Sequence, residues 1–248
     1  MSAVLSISGL TKRFGALLVT DDLSLDLRAG ECHAVIGPNG AGKTTLIHQL
    51  SGTLSPDAGT IQFNGQDITA TNAHQRARKG LGRTFQITSI LPGFSVLENV
   101  ALAAQANDGS SYRFFGTASR ERRLNERAMA ALELLGIADR ADRMASDLSH
   151  GEKRSLELAV AMASEPKALL LDEPMAGMGR EESIALIDTL KRMKAEYPLL
   201  LVEHDMGAVF ALADRVSVLV YGKIIATGTP DEIRNNADAR AAYLGEEA

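Results

Sequence analysis

The chain has 248 residues, 45% of them hydrophobic and 23% charged, enough to bury one large α/β core or a core with a smaller subdomain. A net charge of −5 argues against a nucleic-acid binder, and the single cysteine, Cys32, excludes an internal disulfide and a cysteine-based metal site. No run reaches the about 18 consecutive apolar residues of a membrane-spanning helix, and the opening MSAVLSISGL lacks the form of a secretory signal, so a cytoplasmic protein that touches a membrane only through partners is expected.

The first 30 residues alternate apolar and polar, as at Leu23, Leu25 and Leu27, and predict half-buried antiparallel strands. An apolar strand over 32–36, with Cys32 as a buried packing residue, leads into Gly37-Pro38-Asn39-Gly40-Ala41-Gly42-Lys43-Thr44-Thr45 and a helix-compatible stretch over 44–50. Strand, glycine-rich loop and helix in that order build a cradle for phosphate. The glycines let the backbone curl so that its amides converge on phosphate oxygens, and the helix adds the positive end of its dipole. The phosphate-binding set is Gly37, Asn39, Gly40, Gly42, Lys43, Thr44 and Thr45. Within it Lys43 is placed to reach the β- and γ-phosphates of a nucleotide, and the Thr44 hydroxyl to ligate Mg²⁺.

A short strand over 60–63 ends at the turn pair Asn64-Gly65. From 94 to 166 the texture is helical: Leu124, Ala128, Leu132 and Leu135 form one stripe with arginines opposite, and Gly136 stops that helix. Leu148-Ser149-His150-Gly151-Glu152 opens another helix that runs to about 163, with Ser149 as its cap and free amides from Gly151 onward forming an anion site.

After Pro166 strands over 168–171, 199–202 and 216–220 alternate with helices over 181–194 and 206–213. The order predicts a mostly parallel sheet with helices packed on it, interrupted by a helical insertion where specificity is expected to lie. The strand over 168–171 ends in Asp172-Glu173, which at the carboxyl end of a parallel strand face the phosphate site. Asp172 suits a Mg²⁺ role, directly or through water, and Glu173 can polarise the attacking water. Such a pair by itself is equally a solvated turn; the phosphate loop is what gives it meaning. Glu203-His204-Asp205 ends the next strand on the same edge, where His204 can donate a hydrogen bond to a γ-phosphate or a charged transition state, or sit simply as a surface residue.

From end to end, and with these motifs in order, the chain resembles the ATP-binding subunits of ATP-binding-cassette transporters. The phosphate loop matches Walker A, the strand ending in Asp172-Glu173 matches Walker B, and Leu148 to Glu152 matches the signature, usually Leu-Ser-Gly-Gly-Gln. The resemblance implies an α/β P-loop NTPase core with a mostly parallel sheet, an N-terminal antiparallel β subdomain and an inserted α-helical subdomain. It implies one domain over 1–248, with the core at about 1–93 and 167–248 and the helical signature subdomain at about 94–166. ATP and Mg²⁺ are the implied cofactors. Phe14 is implied to stack on adenine, although an aromatic face serves a core equally. Gln86, in Arg83-Thr84-Phe85-Gln86, is implied to contact Mg²⁺ and the attacking water and to begin the link to the membrane domain, and His204 to be the switch histidine. The catalytic set is then Lys43, Gln86, Glu173 and His204, and the metal set Thr44, Gln86 and Asp172. In the family two subunits pair head to tail, so Ser149 and Gly151 would contact the γ-phosphate held by the partner.

Two departures stand out. His150 and Glu152 replace the usual glycine and glutamine of the signature, adding a carboxylate near a phosphate site, and Met175-Ala176-Gly177-Met178-Gly179 offers no carboxylate where the family often has an aspartate. Longer strings narrow the resemblance: Gly82-Arg83-Thr84-Phe85-Gln86, Val96-Leu97-Glu98-Asn99-Val100, Glu203-His204-Asp205-Met206 and the ending Tyr243-Leu244-Gly245-Glu246-Glu247 look like importers of branched-chain and other hydrophobic amino acids. Urea and amide importers and the lipopolysaccharide-export ATPases are also similar. The implied partners are integral-membrane permease subunits, a second ATPase that is a paralogue or an identical chain, and indirectly a periplasmic substrate-binding protein, with no nucleic acid. The implied location is peripheral, at the cytoplasmic face of the inner membrane. The segment 86–115, with Ile87, Ile90, Leu91, Phe94, Phe114 and Phe115, is expected to form either a socket for a coupling helix of the permease or ordinary subdomain core. The rival classes are a soluble kinase using the same loop and a nucleic-acid or ribosome-associated cassette ATPase; the latter usually carries tandem cassettes or long coiled-coil insertions, and neither is present.

Overall fold

A computed structural model describes residues 3–84, 90–107 and 118–242. In chain order its elements are β1 (Ala3–Phe14), β2 (Leu17–Arg28), β3 (Cys32–Ile36), α1 (Lys43–Ser51), β4 (Ala58–Phe63), β5 (Gln66–Asp67), α2 (Ala73–Arg78) and β6 (Leu81–Arg83). There follow α3 (Val96–Asn107), α4 (Ala118–Leu134), α5 (His150–Ala163), β7 (Ala168–Asp172), α6 (Arg180–Met193), β8 (Leu199–Val202) and α7 (Met206–Leu212). The hairpin β9 (Arg215–Val220) and β10 (Lys223–Gly228) and the short helices α8 (Pro230–Asn235) and α9 (Ala237–Ala242) complete them.

The contacts divide these residues into two units, the first made of the chain up to Arg83, Lys167–Glu173 and the residues from Leu190 on. Its main sheet runs β10-β9-β3-β8-β7-β6, with β6, β7, β8, β3 and β9 parallel and β10 antiparallel at one edge. The expected parallel sheet is therefore present. Strands β3, β7 and β8 are buried at every residue, which is why they read as unbroken apolar runs rather than alternating ones. The second sheet, β2-β1-β4-β5, is antiparallel throughout and supplies the expected β subdomain. Leu5, Leu10, Ile61 and Phe63 from that sheet share one core with Leu46 and Leu50 of α1 and with Val35, Leu170 and Leu200, each at most 2% exposed. Burying an aliphatic side chain of this size contributes about 1.5–3 kcal/mol, so this cluster holds α1 and both sheets together.

Edge strands β6 and β10 are additions to the sequence reading. β6 has only three residues around Gly82, and β10 alternates between exposed and half-buried positions, so neither carries a strong apolar run. Two polar residues fasten the unit from inside. The Arg76 guanidinium, 1% exposed, donates to the carbonyls of Gln49 (2.6 Å) and Leu50 (2.8 Å), which end α1, and to those of Thr69 and Thr71 (both 3.0 Å). A buried cation at a helix C-terminus satisfies carbonyls that lack helical partners and complements the dipole. His33, also 1% exposed, bridges the Asp26 carbonyl (2.7 Å from Nδ1) and the Ser217 hydroxyl (2.8 Å from Nε2). Burial pushes its pKa down to about 4, so near neutral pH it is an uncharged strut between β2, β3 and β9.

The second unit comprises Thr84–Pro166 and Pro174–Thr189. Its core is helical, as expected: Leu124, Ala128 and Leu132 of α4 and Leu135 just past its end are buried, and Gly136, at φ 71°, turns the chain away. Val96, Val100 and Ala104 of α3 and Leu156, Ala159 and Met162 of α5 are buried as well.

Candidate functional site

In the first unit the loop over 37–42 joins buried β3 to α1 with little freedom. A Cβ on Gly37 would lie 2.0 Å from the Leu219 carbonyl oxygen, and one on Gly42, the N-cap of α1 at φ 108°, 2.6 Å from that of Val19. Only glycine permits these approaches. Ala41 O accepts from Gly222 N (3.0 Å), tying the loop to the β9–β10 turn. Lys43 Nζ folds back onto the carbonyls of Gly37 (2.5 Å) and Pro38 (3.0 Å). Burial lowers its pKa, against the pull of Glu173 and Asp172.

At the carboxyl end of β7, Asp172 is 1% exposed, and its Oδ2 lies 3.7 Å from a guanidinium nitrogen of Arg83 on β6. The same guanidinium donates to Ser51 Oγ (2.8 Å) at the end of α1. Glu173 holds a positive φ of 47°, with its amide on the Val202 carbonyl (2.8 Å), a conformation that costs a branched or bulky residue about 1–3 kcal/mol. The next strand edge brings His204 to it: Nδ1 is 3.6 Å from Glu173 Oε1 and also from Glu203 Oε2. Glu203, 1% exposed, accepts from the amides of His204 (2.9 Å) and Asp205 (3.3 Å) and so shapes the turn that presents the imidazole. Lys43, Asp172, Glu173 and His204 therefore all belong to the loop ends of one sheet. Phe14 stands at the tip of the β1–β2 hairpin, opposite Leu17, and is 51% exposed, which removes the core reading. Lys12 Nζ lies 5.8 Å over its ring and is held by Asp57 (2.7 Å). One face of the ring thus carries a cation.

The second unit holds the Ser149 segment. Ser149 caps α5: its Oγ accepts from Glu152 N (3.1 Å), and the Glu152 carboxylate accepts from Ser149 N (2.8 Å). Glu152, whose charge seemed out of place beside an anion site, also accepts from Arg140 Nε (2.8 Å), and that bond, with the Ser149 amide, holds its pKa below the usual carboxylate range. A Cβ on Gly151 would lie 2.3–2.5 Å from the Glu182 carboxyl group, so α6 presses directly on the cap. His150 lies over Gly177, whose added Cβ would be 2.6 Å from Nε2. Gln86, together with Ile87, Phe114 and Phe115, lies outside the described residues.

Residues 20–176 match the family model described as ABC transporter. The chain belongs to the ABC transporter family. A second model, described as branched-chain amino acid ATP-binding cassette transporter, matches residues 223–248 of this ABC subunit. The subunit is 39% identical over 250 aligned residues, 98% of each chain, to the high-affinity branched-chain amino acid transport ATP-binding protein LivG of Salmonella typhimurium. It is 36% identical to the lipopolysaccharide export system ATP-binding protein LptB of Escherichia coli, over 99% of this chain and 98% of that one. The crystal structure of the ADP conformation of an ATP-binding cassette of an ABC transporter superposes with a TM-score of 0.87 at 27% identity, covering 99% of this chain and all of the other. This protein is accordingly an ATP-hydrolysing subunit of a transporter.

The oxygens expected to hold Mg²⁺ are of the hard kind that ion takes, the Thr44 hydroxyl in the first turn of α1 and the carboxylate of Asp172, 1% exposed, at the end of β7. Sequence reasoning missed Arg83, Arg140 and Glu182. Arg83 was visible as part of a string but has no chemistry until β6 pairs with β7, and the other two are ordinary charged residues until the helices are packed.

Proposed function

We propose that this chain energises import of branched-chain or other hydrophobic amino acids, or a related amide, through separate permease subunits. The observation that carries the reading is the match of residues 223–248 to the branched-chain amino acid cassette model, in a region separate from most of the shared core; the 39% identity to LivG supports it. Two subunits, identical or paralogous, pair head to tail, with each ATP between the phosphate loop of one and Ser149 and Gly151 of the other. They sit peripherally at the cytoplasmic face of the inner membrane, supplied by a periplasmic binding protein; no helix among the described residues is long and apolar enough to cross a membrane.

Chemistry at the γ-phosphate requires positioning and charge neutralisation rather than a covalent intermediate. Lys43 and the loop amides neutralise the β- and γ-phosphates, and Thr44 and Asp172, with Gln86, hold the metal. Mg²⁺, when bound, neutralises charge on the phosphate oxygens. Glu173, poised by its strained backbone, orients and deprotonates the attacking water, and His204 donates to the γ-phosphate. Phe14 stacks on the base.

Uptake assays separate this reading from its nearest rival. Cells lacking the chain should lose uptake of labelled leucine, with rescue by the wild type and not by Glu173→Gln. Normal leucine uptake with lipopolysaccharide retained in the inner membrane would favour the export reading, to which the 36% identity to LptB lends weight.

A further inference from the structure

Glu182 is the second acidic residue of α6, three positions beyond Gly179, and nothing in the motifs marks it. One carboxylate oxygen accepts from the Gly179 amide (3.0 Å), and the other lies 3.4 Å from Ser149 Oγ. An ionised carboxylate can only accept, so in this contact the hydroxyl, which itself accepts from the Glu152 amide, is the donor. The carboxyl group also lies against the bare Cα of Gly151, where an added Cβ would meet its carbon at 2.3 Å and its oxygens at 2.4 and 2.5 Å. The loop without an aspartate therefore has an anion after all, delivered from the following helix and laid on the Ser149 cap.

We infer that Glu182 is a built-in competitor of the γ-phosphate: its carboxylate accepts the hydrogen bond of the Ser149 hydroxyl and must withdraw before the partner subunit's nucleotide can engage Ser149 and Gly151. The inference rests on the head-to-tail dimer proposed above and adds to it a threshold on closure. The physics is that of like charge. A carboxylate within hydrogen-bond reach of Ser149 Oγ repels a phosphate brought to the same donor and competes for the same proton. Glu152 does not play this part, because Arg140 neutralises it. Attachment to the Gly179 amide ties the withdrawal of Glu182 to the loop that follows Glu173, so a change there on nucleotide binding reaches the cap through one side chain.

The test uses the full chain with Glu173→Gln as parent, titrated with ATP while the dimer is followed by sedimentation. Glu182→Gln keeps an oxygen for the Gly179 amide and removes the charge. It should lower the ATP concentration for half-maximal dimerisation about two- to fivefold, the effect of one charge at a helix N-terminus, while ATP binding to dilute monomer stays as in the parent. Glu182→Asp, which keeps the charge and withdraws it from Ser149, should shift the midpoint in the same direction and serves if Glu182→Gln folds poorly. An unchanged or raised midpoint in the folded variants overturns the competitor role and leaves Glu182 as a cap of α6. Failure of the parent itself to dimerise with ATP overturns the pairing of identical chains and, with it, the competitor role between two copies of this chain.

Discussion

His204 Nδ1 lies 3.6 Å from Oε1 of Glu173, across the loop ends of two neighbouring parallel strands. In the proposed reading the pair joins the residue that orients water with the one that donates to a phosphate. Glu173→Gln keeps the shape and removes the charge, so ATP should still bind while turnover in the assembled transporter falls by about 10² or more. His204→Ala should likewise retain binding and lose turnover. Wild-type ATPase rates for Glu173→Gln would remove Glu173 from the chemistry.

The exposed ring of Phe14, with Lys12 on one face, is read as a base platform. Phe14→Ala should weaken ATP binding by about 1 kcal/mol, and Phe14→Tyr should be nearly neutral. Calorimetric titration with ATP checks this; equal losses for both variants would place the ring elsewhere.

The buried His33 makes stability depend on pH. Its folded pKa of about 4 lies below the ordinary value of 6.5, so the unfolded chain binds the extra proton first. The contribution is complete above about pH 6.5 and is lost as pH falls towards about 4, amounting to about 2 kcal/mol between about pH 7 and pH 4.5. Urea unfolding at the two pH values should show this loss in the wild type, and a correspondingly smaller one in His33→Gln. Equal losses in the two proteins would assign the acid sensitivity to other groups.

Leu91 and Phe94 are 44% and 43% exposed, while the Leu91 backbone is held by Asn99, whose Oδ1 accepts from Leu91 N at 2.7 Å. An exposed apolar side chain on a fixed backbone suits the proposed permease socket. Leu91→Asp should leave melting temperature and ATP affinity close to wild type, yet detach the subunit from membranes or separate hydrolysis from uptake. Membrane fractionation and paired ATPase and uptake assays decide it; normal assembly and transport would move the socket to other residues.

Much of the site was legible in the chain because its chemistry is local. Gly37 to Thr45 form one continuous loop and helix start, Asp172 and Glu173 are adjacent at a strand end, and Ser149 caps its own helix through Glu152, so spacing alone placed each group on the right kind of element. The parallel sheet was legible for a similar reason: strands buried on both faces must be apolar throughout, and β3, β7 and β8 are. Tertiary structure alone decided what depends on residues far apart in sequence. Arg83 meets Asp172 only because β6 pairs with β7, Arg76 ends α1 from 26 residues away, and Arg140 and Glu182 reach the Ser149 cap from separate elements. No periodicity marks such partners, since a charged side chain looks the same in sequence whether it faces water or a buried counter-charge; only the packed fold fixes which one it meets.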